Sequence, residues 1–153
     1  MGSYARFGLM ILTSTLAMFG MMYLNTYALA HIHFSQTRAW MALLMGVGMA
    51  VIMLAFMLGM YKDKRRNAGI FVGAALAFGF SLWLVRSQST VDDVSYMRAM
   101  IPHHSIAIMT SERAHIRDPR VRKLADGIIE TQRKEIAEMN ALMADIERTG
   151  PQR

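Results

Sequence analysis

Apolar residues fill the first 85 positions in three blocks, residues 7–30, 39–61 and 68–85, and none of the blocks contains a charge. A bilayer core takes roughly 20 helical residues to cross, so each block predicts a transmembrane helix. The third is the shortest and is extended by flanking side chains that snorkel. Beyond position 90 the pattern changes to apolar residues at steps of three and four among charges, which predicts amphipathic helices. Thr90 and Asp93 form a capping-box pair. The helix they open runs through Tyr96, Met100 and Ile108 towards His115, and Pro102 must either kink it or start a second segment. Asp118-Pro119 predicts the next helix start. Val121, Leu124, Ile128, Gln132, Glu135, Met139, Leu142 and Ile146 make its core stripe, and Gly150-Pro151 ends it. The predicted fold is all-α, with three transmembrane helices in residues 1–88 and an antiparallel helical hairpin in residues 89–153.

Charge gives this arrangement a direction. The formal net charge is +6, with seven cations and one anion in residues 1–90 and ten of each sign in residues 91–153. The whole excess belongs to the apolar half, so a nucleic-acid partner is excluded for want of a basic face. Lys62, Lys64, Arg65 and Arg66 crowd the second connection, whereas the first has only Arg38. Cation-rich short loops stay in the cytoplasm. The hairpin is then extracytoplasmic, and the expected location is a bacterial inner membrane with the carboxy-terminal domain in the periplasm. Ala28-Leu29-Ala30 has the form of a signal-peptidase site. Its apolar stretch exceeds the roughly 7–15 residues of a signal, however, and is read as a span. Gly69, Gly73 and Ala77 give the third span a smooth strip that packs on the chain's own spans or on another copy.

With no cysteine in the chain, disulfides and thiolate chemistry are excluded, but there are 16 methionines. Met97, Met100 and His104 share one helical face. In a hairpin centred near Asp118, Met97 is expected opposite Met139, Met100 opposite Ile136 and His104 opposite Gln132, with His103 one residue away and Glu135 nearby. Thioethers suit Cu(I) and Ag(I); packing is the competing use of the same residues. Met41, Met45, Met49, Met53 and Met57 form an i+4 ridge on the second span, read as lipid-facing or packing. His31 and His33 are read as interfacial. Glu112 and His115 make a Glu-x-x-His pair of the di-iron type, with no carboxylate expected at their level. Neither a nucleophile–base pair nor a phosphate-binding loop is present, and no enzymatic activity is expected.

Met100-Ile101-Pro102-His103-His104, Ala107-Ile108, Leu124-Ala125, Ile128-Ile129, Gln132, Glu135-Ile136 and Met139 together resemble the DUF305 family over about residues 91–147. The resemblance implies a ferritin-like helical domain, here half a bundle, and copper or silver binding through Met and His. It places Met100, His103, His104 and Met139 at motif positions. Many members carry Met where this chain has Thr110, and Met109 lies one residue earlier, about 100° away on a helix.

The resulting expectation is a membrane-anchored Cu(I)- or Ag(I)-binding protein in metal tolerance or trafficking. Its metal residues are Met97, Met100, His103, His104 and Met139. Its partners are membrane lipid, a second copy (dimer first) and metal efflux components. The alternative is a metal-free adaptor that assembles through its hairpin.

Overall fold

The computed structural model describes residues 2–151. It contains α1 (Ser3–Met21), a 3-10 turn (Leu29–His31), α2 (Gln36–Phe56), α3 (Lys64–Ser87), α4 (Asp93–Arg113) and α5 (Pro119–Thr149), with no strand among the described residues. The first three helices are long and apolar enough to cross a membrane. The chain forms two compact units. One holds the chain up to Met22 with Thr37–Thr90; the other holds Tyr23–Gln36 with the chain from Val91 onward.

In the first unit α1 stops at Met21, nine residues before the apolar block does. Hydropathy alone counts the residues after Met21 as helix, but Tyr23–Gln36 is built into the second unit instead. α2 likewise ends at Phe56, before the apolar block does. Three of the four clustered cations lie in the first turn of α3 rather than in a loop. Cations oppose the helix dipole there. Asp63 offsets them: its carboxylate accepts from the Arg65 and Arg66 N–H groups and pairs with the Arg66 guanidinium at 3.1 Å. Phe7, Leu54 and Tyr61 form the buried centre of the unit, flanked by Met53 and Met57 from the methionine ridge. Met41 and Met45, two turns and more earlier, are exposed. At Gly46 a Cβ would run into the Thr15 side chain, so glycine there permits the close approach of α1 and α2.

In the second unit α4 and α5 are antiparallel around a core of Met97, Ile101, Ile108, Ile136 and Met143. α4 is capped by Asp92, whose carboxylate accepts from the Ser95 N–H at 2.7 Å. The expected Thr90 cap does not form; Thr90 accepts from the Trp40 indole N–H instead. Pro102 is buried inside an α4 that runs unbroken from Asp93 to Arg113, so no second segment starts there. The Asp118 cap, Pro119 at the first turn and Gly150 at the end, with φ 79°, agree with the sequence reading.

The face of α5 that meets α4 differs from the expected stripe. Ala125, Ile136 and Met143 are buried, with Ile129, Met139 and Ile146 packed beside them. Val121, Leu124, Ile128 and Leu142 are exposed. The helix is apolar over a wide arc, and only its inner edge faces α4.

Candidate metal centre

α4 and α5 form an open hollow of about 250 Å³ lined by Tyr96, Met100, His104, Glu135, Glu138, Met139 and Leu142. Met100 and His104, one turn apart, come from α4, and Glu135 and Met139, also one turn apart, come from α5. Three of the five expected metal residues therefore share one hollow. Met97 lies in the hairpin core, 6% exposed. His103 points outward, with its ring centroid 6.1 Å from that of His104. Thr110, at the family's methionine position, turns its hydroxyl back to the Ile106 and Ala107 carbonyls.

Both nitrogens of His104 are held. Nδ1 lies 2.9 Å from the Met100 carbonyl oxygen, and Nε2 lies 2.8 Å from Glu135 Oε2. A carbonyl only accepts, so Nδ1 carries hydrogen and Nε2 is the nitrogen left to ligate. The contact with Glu135 needs one proton between ring and carboxylate. Gln132, expected opposite His104, instead donates to Glu135 at 3.5 Å. The three-residue offset has a simple cause. Side chains on both helices lean towards their own amino termini, so antiparallel partners meet at higher numbers than their Cα levels suggest.

The donors lining the hollow are two thioethers, one imidazole and the carboxylates of Glu135 and Glu138. Among the described residues no three His, Cys, Asp or Glu side chains are gathered closely enough to hold a metal by themselves. The two sulfurs with one nitrogen fit a soft monovalent ion. Sequence reasoning treated Glu135 as a neighbour and missed Tyr96 and Glu138. The Glu135–Met139 spacing was the signal for the first, and nothing marked the other two. The Glu-x-x-His pair falls apart: Glu112 forms a 2.6 Å ion pair with Arg133, and His115 lies beyond the end of α4.

A second histidine pair belongs to the same unit. Ser105, fully buried on α4, accepts the Tyr27 N–H at 2.8 Å and lies 2.9 Å from His31 Nδ1. His33 Nε2 is buried without a partner among the described residues. Burial, then the Arg98 guanidinium and His31, hold the His33 ring below its ordinary pKa of 6.5. As pH falls, the unfolded segment takes up the proton first, so the stabilisation present above 6.5 is lost on acidification. The Tyr27 amide should therefore exchange faster at pH 5.5 than at pH 7.5, after correction for intrinsic rates, and His33→Phe should remove the difference. Equal protection at both pH values in the unaltered chain would sink this account.

Residues 87–152 match the family model for a domain of unknown function, DUF305. An uncharacterised protein of Acanthamoeba polyphaga mimivirus is 31% identical over 141 residues, covering 88% of this chain and 91% of the viral protein. The viral match reaches well beyond the α4–α5 domain into the membrane-length helices. No solved structure matches the chain. The chain therefore belongs to the DUF305 family, whose domain its α4–α5 hairpin carries.

Proposed function

We propose that this protein is a membrane-anchored carrier of Cu(I) or Ag(I), facing the periplasm of a bacterial inner membrane and serving in metal tolerance or trafficking rather than catalysis. The observation that carries the reading is the convergence of Met100, His104 and Met139 on one hollow. The thioethers are neutral and resist the oxidation that removes thiolates outside the cytoplasm. His104 offers Nε2, and its Nδ1–H bond to the Met100 carbonyl fixes the ring for that role. Nε2 would give up its contact with Glu135 to hold the ion. The Glu135 carboxylate then balances the charge of a monovalent ion. Copper, when bound, supplies a soft centre for those two sulfurs.

The test uses sealed right-side-out membrane vesicles that hold the full chain. They are offered Cu(I) as its complex with bathocuproine disulfonate, which does not cross membranes. Vesicles with the chain should withdraw copper from the complex, and vesicles without it should not. No withdrawal in either orientation defeats the metal reading, and withdrawal only by inverted vesicles defeats the orientation. The exposed Val121, Leu124, Ile128 and Leu142 favour a second reading, in which the hairpin assembles with another copy and metal is not involved.

A further inference from the structure

The three membrane-length helices do not close on one another. Between them lies a groove of about 510 Å³ lined by Ile11 and Leu12 of α1, Leu43 and Val47 of α2, and Ile70 and Ala74 of α3. Gly8 and Gly73 also line it, and a Cβ built on either meets nothing within 4 Å. The strip containing Gly73 and Ala77 is thus not consumed by packing within the chain. Between Tyr4 and Ala77 the lining is apolar but for the Thr15 hydroxyl, whose hydrogen is already donated to the Ile11 carbonyl at 2.8 Å. What fits such a space is hydrocarbon.

One end of the groove is marked by charge. Tyr4 lines the groove there, its hydroxyl donating to Asn67 Oδ1 at 2.9 Å. The Arg66 guanidinium lies 5.4 Å above the Tyr4 ring, and its side chain is 67% exposed. Lys62 and Lys64 line a neighbouring hollow beside Tyr61 and Asn67. Residues 62–66 hold four cations against one anion. A hydrocarbon slot that ends at a cationic rim has the two-part complementarity of a lipid with an anionic headgroup. A parallel second copy in the groove would bring the same cations to the same end, and like charges disfavour that. An antiparallel copy would need the opposite topology, which one loop-charge pattern does not permit.

We propose that the groove holds an acyl chain of an anionic phospholipid, with its headgroup phosphate against Arg66. The glycines provide a clean test. Gly8→Leu and Gly73→Leu put a side chain into the groove from a Cβ that meets nothing within 4 Å, and favour helix over glycine. Gly48→Leu and Gly79→Leu, equally free of contacts and outside the groove, are the controls.

The experiment is native mass spectrometry of the full chain from detergent micelles holding equal amounts of palmitoyl-oleoyl phosphatidylglycerol and phosphatidylcholine. Phosphatidylglycerol adducts should dominate. Gly8→Leu and Gly73→Leu should remove them, while both controls keep them. Arg66→Gln should cut the preference roughly fivefold, and Arg66→Lys should restore it. Equal retention of the two lipids overturns the proposal, as do adducts that survive Gly73→Leu. A dimer that Gly73→Leu dissociates, with no lipid preference, assigns the groove to a second copy and overturns it too.

Discussion

Replacing Met100 by Leu and His104 by Phe in the same chain should lower Cu(I) affinity by about 100-fold or more, while helix content should stay that of the unaltered protein. The first change removes a sulfur and the second a nitrogen from the hollow that Met139 and Glu135 share with them. Apolar bulk is kept, so the hairpin has no new void to collapse into. His104 is well sheltered, its side chain 12% exposed, whereas Glu135 is 45% exposed. The lone carboxylate that the double variant leaves behind can therefore be hydrated. Glu135→Gln alone should cost less, about 10- to 100-fold, because the amide still supports the ring but no longer balances charge. Competition titration with a Cu(I) chelator on the full chain reads all three proteins. If the double variant binds as tightly as the parent, the metal lies elsewhere, and the imidazoles of His31 and His33 are the next donors to test.

Ile101→Ala should be the most damaging single truncation in the second unit, at about 2–5 kcal/mol. Ile101 is fully buried at the centre of the α4–α5 core, with Met97, Ile108, Ile136 and Met143 around it. A core this small supplies only about 3–5 kcal/mol in total, so the loss should leave α4 and α5 largely unprotected in hydrogen exchange. Leu142→Ala is the matched comparison. Leu142 is 48% exposed, so in a lone chain its truncation should fall within about 0.5 kcal/mol of neutral. A large, concentration-dependent loss at Leu142 would show that another copy covers that face. Full protection after Ile101→Ala would contradict the core described above.

The helices themselves were legible because each depends on signals within a few residues. Asp118-Pro119 and Gly150 fix the ends of α5 by local chemistry alone, and three uncharged blocks sufficed to find three helices of membrane-crossing length. Misplaced features depended on something distant. Thr90 looked like a cap until Trp40, fifty positions away, took its hydroxyl as an acceptor. The α5 stripe was drawn through Leu124, Ile128 and Leu142, because a wide apolar arc does not reveal which edge meets the partner helix. The site was half legible for the same reason. Met100, His104 and Met139 were placed together by spacing, but Met97 belongs to the core edge of α4. His104 reaches Glu135 rather than Gln132 because side-chain lean adds an offset that counting Cα levels omits.

The tie between Tyr27 and Ser105 joins parts of the chain made at different times. Tyr23–Gln36 leaves the ribosome before α2 and α3 exist, and its hydrogen-bonding partner on α4 follows 78 residues after Tyr27. At about 5–20 residues per second, the segment waits on the order of seconds with the Tyr27 amide and the His31 ring uncovered. During synthesis the Tyr27 amide is therefore bonded to water until Ser105 arrives. A hairpin released from the rest of the chain would keep that vacancy permanently, with Ser105 open to water where the first connection should lie.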